Sequence, residues 1–360
     1  MSLLPRCFRG YLPSLFSLPS SFSGRKGYSG GESNVGRRRS EKKIAGVVTL
    51  LVLSSAFVFR RDPFVAHVLV QASLLALISL AWNILGGGCG QISFGHAAFF
   101  GTGAYVSAIL TTQYHLNPWL GIAGACVSVV FLSLLVGVPS FRLKGAYFAL
   151  LILAYAHVLK LVALNLEITK GDEGIFSIPS FGRYSFGGME VNFFTSKGAN
   201  LFLILLFLIA GLWTGIWMRG SQTGIAMEAV REDEVTAEAM GIDTLRYKLF
   251  ALGVSAFFTA LGGAFYVHYI HFLTPDSAYS GYWSLMPIVA ALFGGIRTVT
   301  GPVVGAFTLV CLDEFLIKEL LPRGDKLVYG LLFVVTILFF PRGILGTWVE
   351  RQGHGRKKEG

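Results

Sequence analysis

Apolar and charged residues are segregated along this chain into long blocks. From Phe64 to Phe141 the sequence contains no Lys, Arg, Asp or Glu. A helix that crosses a bilayer needs about 20 predominantly apolar residues, so this one stretch is long enough for about three crossings. Further apolar blocks follow, separated by charged residues and by Gly or Pro turns. The pattern predicts an all-α, polytopic integral membrane protein.

Charge breaks and turn residues divide the apolar blocks into eight to ten predicted transmembrane helices. The 282–318 region fits either two short spans or one re-entrant pair of helices. The predicted spans are 44–59, 64–85, 97–113, 118–137, 145–165, 199–218, 248–270, 282–296, 299–318 and 327–341.

The distribution of basic residues predicts the orientation of these spans. Lys and Arg collect in the cytoplasmic loops of membrane proteins. With the N-terminus inside, 21 of the 30 Lys and Arg residues fall on cytoplasmic segments. We therefore expect a multi-pass protein of the cytoplasmic (inner) membrane with both termini in the cytoplasm. The loop at 166–198 is then external, and the loop at 219–247 is cytoplasmic.

The two ends of the chain differ in composition from the predicted transmembrane domain, 44–345. Residues 1–43 are rich in Ser, Gly and Arg and end in a basic cluster. A disordered cytoplasmic tail, an organellar transit peptide and a start codon placed too far upstream all fit this composition. Residues 346–360 are also basic and are expected to form a short cytoplasmic tail.

The overall composition agrees with a membrane protein. Apolar residues make up 53% and charged residues 14% of the chain, against about 25% charged residues in soluble domains. The net charge of +10 is accounted for by cytoplasmic segments, so we expect no nucleic-acid partner. The four cysteines are scattered, without a CxxC pair or a His/Cys cluster, so neither a disulfide framework nor a metal site is predicted.

The most charged segment, 219–247, is predicted to contain a helix over 225–240. Ala, Glu and Met favour a helix, and Glu228 and Arg231 are spaced to pair on its surface. Gly241 suits the left-handed position after a helix, and Asp243 is placed to cap the next one. The segment is either a solvated connector between spans or a rigid helix that a cytoplasmic partner binds.

A second segment, 83–105, is rich in glycine and lies at membrane depth. Since each glycine costs about 1 kcal/mol relative to Ala in a helix, we expect a broken helix across 86–93. Irregular backbone in a membrane either lines a cavity or is buried by close packing of small residues, and both alternatives stay open. The candidate substrate-pathway residues are Asn83, Gly87, Gly90, Gln91, Ser93, His96 and Tyr105.

The cytoplasmic segment resembles the coupling loop of ABC importer permeases. The resemblance implies docking onto a separate ATPase subunit. This chain has no Gly-Lys dipeptide, hence no phosphate-binding loop of the usual kind. We expect no catalytic residue and no cofactor in this chain, with ATP bound by the partner subunits. The residues on the coupling pattern are Glu228, Arg231, Glu232, Asp233, Glu234, Ala237, Glu238 and Gly241.

Five further blocks extend this resemblance over roughly residues 64–345, and they point to the LivM-type permeases of branched-chain amino-acid ABC importers. The resemblance implies import of Leu, Ile and Val. The implied partners are a second homologous permease subunit, two cytoplasmic ATPase subunits, an extracytoplasmic solute-binding protein and the lipid bilayer. Cys89 and Lys170 depart from the family pattern. The matching blocks are Gly90 to Gly101, Arg142 to Ala149, Asn165 to Thr169, Phe293 to Ala306 and Phe340 to Gly343.

Functions other than ATP-driven import would require other residues within the spans. An intramembrane enzyme needs acid–base or metal-binding groups, and His268 and His271 are the one pair with metal-ligand spacing. An ion-coupled carrier needs acidic residues inside spans, where Asp313 and Glu314 form the close pair. The uncharged pathway residues suit a zwitterionic solute, because an uncompensated charge in a dry passage is costly. Urea, short amides and other neutral amino acids remain alternative solutes on the same scaffold.

Overall fold

The computed structural model describes residues 62–314 except 187, 188, 195 and 297, together with Gly46. The predicted span at 327–341 lies outside the described residues, as do both predicted tails and all of the predicted span at 44–59 except Gly46. The total number of spans therefore stays a prediction.

Helices account for most of the described residues, which confirms the all-α prediction. In chain order, α1 to α11 are Pro63–Cys89, His96–Thr112, Pro118–Ser140, Ala146–Asn165, Lys197–Gly220, Gln222–Glu232, Glu234–Ala239, Thr244–Ile270, Pro275–Ala278, Tyr282–Gly294 and Gly301–Leu312. A 3-10 turn occupies Glu167–Thr169.

Four short strands, which the sequence analysis did not predict, lie in the loops. They are β1 (Ile175–Phe176), β2 (Arg183–Phe186), β3 (Met189–Asn192) and β4 (Phe272–Leu273). β1 pairs with β4 and β2 with β3, both antiparallel.

Polar residues immediately before the helices explain where several of them begin. The Asp62 carboxylate accepts from the amide of Phe64 at 2.9 Å, and Pro63 takes the first helical position of α1. Asn117 caps α3 in the same way, again followed by a proline. Such caps satisfy amides that have no partner within the helix, and proline is tolerated there because its missing N–H would be unpaired anyway.

Five described helices are long and apolar enough to cross a membrane, namely α1, α3, α4, α5 and α8. The chain is therefore a multi-pass membrane protein, and these helices match predicted spans to within a few residues. With 13 residues, α10 is only about 20 Å long, less than the roughly 30 Å of a hydrocarbon core. By itself α10 is too short for the crossing predicted at 282–296, which favours the re-entrant alternative.

Helix α8 packs against α1, α2 and α3, and α1 also packs against α5, α10 and α11. Small residues allow these close contacts. A Cβ added at Gly263 of α8 would overlap the carbonyl of Phe100, and one added at Gly103 of α2 would lie 2.8 Å from the Cα of Ala260. Close approach of backbones at small residues is how helices associate inside membranes, where water does not drive them together.

The two long loops lie at opposite ends of α1 and α8, which run antiparallel. At one end, the Cys89 thiol of α1 contacts the carbonyl of Tyr247 in α8. At the other end, His67 of α1 is hydrogen-bonded to the Tyr269 hydroxyl of α8 at 2.6 Å. Helices α6 and α7 belong to the first end, and β1 and β4 to the second. The absolute orientation in the membrane stays a prediction.

Candidate functional site: the junction of the charged segment with the glycine-rich segment

The charged segment forms two short helices, α6 and α7, and the prediction of one helix over 225–240 was wrong at Asp233. The backbone of Asp233 is extended, with φ of −157°. Its carboxylate accepts from the amides of Thr236 at 3.0 Å and Val235 at 2.9 Å. The Thr236 amide is the main reason that the pKa of Asp233 is lowered. Asp233 thus ends α6 and caps α7.

Two features of the same segment confirm the sequence reading. Gly241 has a φ of +83°, the left-handed conformation expected after the end of a helix. Asp243 accepts from the amide of Arg246 at 3.1 Å and caps α8.

All four glutamates among the predicted coupling residues are paired within the chain, Glu228 and Glu232 with Arg231 of their own helix and Glu234 and Glu238 with residues of α8. The side chains of Glu228 and Glu232 are 65% and 64% exposed. By contrast, Glu234 forms an ion pair with Lys248, whose side chain is only 4% exposed. Glu238 accepts from the Thr244 hydroxyl at 2.6 Å. Glu234 and Glu238 therefore hold α7 against the start of α8.

Apolar residues of this segment are exposed, as are the Arg231-paired acids Glu228 and Glu232. Val235 is 66% exposed, Met240 is 78% exposed and Ile225 is 55% exposed. A contiguous exposed apolar patch with a polar rim is typical of a protein–protein contact, so these three side chains make the segment a candidate for one. These apolar positions were not predicted as a contact, because charged residues dominate the segment.

The glycine-rich segment is broken later than predicted. α1 continues as a helix through Gly86 and Cys89, and the chain leaves it at Gly90, which has a φ of +74°. The predicted break was therefore wrong for 86–89, and the irregular backbone is confined to 90–95. The last turn of α1 stays helical because it is packed: a Cβ at Gly88 would lie 2.8 Å from the methyl of Met227 in α6.

The irregular backbone is held by side chains on both sides. The Trp82 indole donates to the carbonyl of Ser93 at 2.8 Å. The Ser93 hydroxyl accepts from the amide of Gly95 at 3.3 Å. After the break, the Ser284 hydroxyl of α10 accepts from the amide of Ala97 in the first turn of α2.

The predicted pathway residues differ in their surroundings. Asn83, Ser93, His96 and Tyr105 are buried, Gln91 is half-buried and Gly90 is exposed. Asn83 donates to the Thr298 carbonyl at 2.9 Å, and His96 Nε2 lies 2.9 Å from the Ser255 hydroxyl. Tyr105 stacks on Tyr279 with ring centroids 6.0 Å apart. Their assignment to a solute pathway stays a prediction.

Three of these residues contain a buried polar atom without a hydrogen-bond partner in the described structure: Asn83 Oδ1, His96 Nδ1 and the Tyr105 hydroxyl. Buried polar groups are nearly always paired, and an unpaired one calls for an explanation. All three lie on the helices that flank the break at 90–95.

Arg231 joins the two predicted sites, which the sequence analysis had kept separate. Its Nη1 donates to the carbonyl of Gly87 in the last turn of α1 at 2.9 Å. Its Nη2 donates to the carboxylates of Glu228 at 3.0 Å and Glu232 at 2.8 Å. The exposed fraction of the Arg231 side chain is 18%. Gly87, Gly90 and Arg231 thus lie together, whereas Tyr105 lies further along α2.

The histidine pair that could have bound a metal has other partners. His268 donates from Nδ1 to the carbonyl of Pro179 at 2.7 Å, and its Nε2 lies 2.8 Å from the Ser107 hydroxyl. His271 donates from Nδ1 to the carbonyl of Ile178 at 3.0 Å. Within the described ranges, no group of three or more His, Cys, Asp or Glu side chains could hold a metal ion.

Comparison with known proteins identifies the family. Residues 64–337 match the family described as "Branched-chain amino acid transport system / permease component". No solved structure matches the chain.

Named relatives agree with the family match. The high-affinity branched-chain amino acid transport system permease protein LivM of Escherichia coli K12 is 28% identical over 83% of this chain and 74% of its own length. LivM of Salmonella typhimurium is 27% identical over the same shares. A probable branched-chain amino acid transport permease protein LivH of Methanocaldococcus jannaschii is 24% identical over 77% of this chain and 90% of its own length.

The matched residues include every helix described above as far as α11, with both the charged segment and the glycine-rich segment. The match covers well over half of the 360 residues. This chain therefore belongs to the branched-chain amino acid transport system permease family.

Proposed function

We propose that this chain is the membrane-spanning permease subunit of an ATP-driven importer that carries Leu, Ile and Val across the cytoplasmic membrane. The observation that carries the proposal is the pair of short helices α6 and α7. They connect two helices long enough to cross a membrane, and they present charged and apolar side chains outward. The names of the relatives support the substrate class.

ATP hydrolysis belongs to separate subunits in this proposal. The sequence lacks any Gly-Lys dipeptide, whereas a phosphate-binding loop requires Gly-Lys followed by Ser or Thr. Two cytoplasmic ATPase subunits bind the ATP, and one of them docks on Val235, Met240, Glu228 and Glu232. This chain is a transport subunit and not an enzyme.

The solute route runs past the break at 90–95, between this chain and a second homologous permease subunit. The polar atoms of Asn83, His96 and Tyr105 that lack partners become available to a passing solute when the broken segment opens. None of these groups has a fixed charge at neutral pH, which suits a zwitterion with an aliphatic side chain better than an ion. Backbone dipoles at the broken helix ends meet the charged ends of the zwitterion.

The proposed orientation places both termini and the α6–α7 end in the cytoplasm. The opposite end, with the loop at 166–198, then receives an extracytoplasmic solute-binding protein. A reporter fused at Gly224 should indicate the cytoplasm, and one in the 166–198 loop the other side. The reverse result would overturn the docking of the ATPase.

The decisive experiment is uptake in a strain without its own branched-chain importer, with the second permease, the ATPases and the binding protein supplied together. ATP-dependent uptake of labelled leucine supports the proposal. ATP-dependent uptake of urea or a short amide without leucine keeps the importer class and rejects the substrate. Uptake without the ATPases rejects the mechanism.

The docking surface can be tested in the same strain. Val235→Asp with Met240→Asp places charge where the proposal needs an apolar contact, so the ATPase should no longer co-purify. Phe176→Asp is the matched control, because Phe176 is 60% exposed at the opposite end of the bundle. Normal co-purification of the double variant would overturn the assigned surface.

A further inference from the structure

Each of the two short helices is fastened to a different long helix. The Arg231 guanidinium fastens α6 to the last turn of α1 by its hydrogen bond to Gly87. The ion pair of Glu234 with Lys248 fastens α7 to the first turns of α8. The chain between α6 and α7 changes direction at Asp233, whose backbone is extended.

The bond from Arg231 to α1 is placed where a helix lacks internal partners. The last four carbonyls of a helix have no amide to bind within it. α1 ends at Cys89, so the Gly87 carbonyl is one of these. A cation at this end also interacts favourably with the helix dipole. Arg231 therefore caps α1 from a different helix, next to the start of the break at 90–95.

One guanidinium makes three contacts here: the Gly87 carbonyl and the carboxylates of Glu228 and Glu232. The planar fork of arginine holds several acceptors in fixed directions, whereas a lysine ammonium is a point charge on a flexible stem. The methyl of Met227 packs beside the contact, against Gly88. The junction is thus both hydrogen-bonded and packed.

We propose that Arg231 is the positioning residue that couples the ATPase to the pathway, by making α6 and the last turn of α1 move as one body. When the ATPases displace α6, Arg231 transmits the displacement to Gly87, and the adjacent irregular backbone at 90–95 takes up the change. This inference rests on the proposed function. It assigns the step that links displacement of α6 by the ATPases to the change in the backbone at 90–95.

The test measures uptake and ATP hydrolysis together in proteoliposomes that contain the complete importer. Arg231→Gln removes the cation and keeps a polar side chain of similar shape. Hydrogen bonds to charged groups are strong enough that their loss should lower solute carried per ATP at least about tenfold, while ATP hydrolysis stimulated by the loaded binding protein persists. Arg231→Lys should restore little, because the fork is lost. Arg246→Gln is the matched control, an exposed arginine at the start of α8.

Two results would overturn the inference. Arg231→Gln with the wild-type ratio of uptake to hydrolysis would show that the contact transmits nothing. A parallel fall of uptake and hydrolysis at an unchanged ratio would assign Arg231 to docking or folding instead. If the wild-type importer itself shows no ATP-dependent uptake, the proposed function fails rather than this inference.

An engineered disulfide can replace the hydrogen bond by which Arg231 joins α6 to the last turn of α1. A Cβ built at Gly90 lies 3.6 Å from the Cβ of Arg231, inside the range of about 3.5–4.5 Å that a disulfide needs. In a Cys89→Ser background, Gly90→Cys with Arg231→Cys should be uncoupled when reduced and should carry more solute per ATP when oxidised. Comparing one variant in two redox states cancels any strain at Gly90. An oxidised form as uncoupled as the reduced form would contradict movement as one body.

Discussion

Helices α1 and α8 differ sharply in burial from α3 and α4, although all four are apolar enough to span a membrane. The mean hydropathies are 2.1 and 1.7 for α1 and α8, against 2.4 and 2.0 for α3 and α4. Within an apolar stretch of 18 residues in each helix, 72% and 78% of the residues of α1 and α8 are buried, against 44% and 28% for α3 and α4. Hydropathy therefore predicts that a helix is in the membrane but not where it lies in the bundle.

Side-chain size and polarity separate the two pairs. Buried α8 contains Ser255, Thr259 and His268, each hydrogen-bonded within the protein. Exposed positions of α3 and α4 instead hold large apolar residues such as Phe131 and Leu150. Small and polar residues are used where helices meet, since lipid offers no partner to a hydroxyl or an imidazole.

The largest expected loss of stability comes from truncating a large side chain in the buried core. Phe265 of α8 is fully buried and packs against Phe181, Phe207 and Tyr269. Phe265→Ala should lower the free energy of unfolding by about 3–5 kcal/mol, because packing contacts are lost and a cavity remains. Phe131→Ala, at a side chain that is 69% exposed, should change it by less than about 0.5 kcal/mol. Unfolding in detergent micelles measures both, and equal losses would remove the distinction between the helix pairs.

A smaller change in the free energy of unfolding is expected from adding a methyl group where two helices are already in contact. Gly263→Ala places a methyl group against the Phe100 carbonyl and should cost about 1–3 kcal/mol of unfolding free energy. Gly253→Ala in the same helix meets no atom within 4 Å. It should therefore stabilise the helix by up to about 1 kcal/mol through helix propensity. Thermal unfolding of the two variants should shift in opposite directions, and a shared direction would contradict the packing described for α8.

The smallest effect concerns one hydrogen bond inside the bundle. A double-mutant cycle with Ser107→Ala and His268→Leu should give a coupling energy of about 0.6 kcal/mol, and at most about 1.7 kcal/mol, as for other hydrogen bonds between membrane helices. His157→Leu is the matched control, because the His157 ring is exposed on α4 and bonds within its own helix. A coupling energy of zero would show that the α2–α8 contact is made by packing alone.

Features that depend on local chemistry were predictable from the sequence. The absence of charge over 64–141 and the capping residue Asp243 place helices correctly, because both act within a few residues. The helix through Gly86 was not predictable, because Trp82 and Met227 pack around the last turn of α1 and offset its low helix propensity.

Contacts between residues that are distant in the sequence could not be predicted either, because they depend on how the helices pack. Arg231 and Glu234 appeared equivalent in sequence, as members of one charged helix. Only the fold shows that Arg231 binds α1 whereas Glu234 binds α8. The short strands β1 and β4 are likewise stabilised by each other and carry no sequence pattern of their own.

The pairing of β1 with β4 also sets an order of events during biogenesis. Ile175 lies opposite Leu273, and the His271 ring is bonded to the Ile178 carbonyl, so the loop at 166–198 is anchored by residues made nearly one hundred positions later. At about 5–20 residues per second, roughly 5–20 s of synthesis separate the two strands. In the orientation proposed above, the nascent loop has by then crossed the bilayer without its partner strand and is open to proteases. Emergence of β4 closes this window, so truncation just before Phe272 should leave a chain that is inserted but cleavable in the loop.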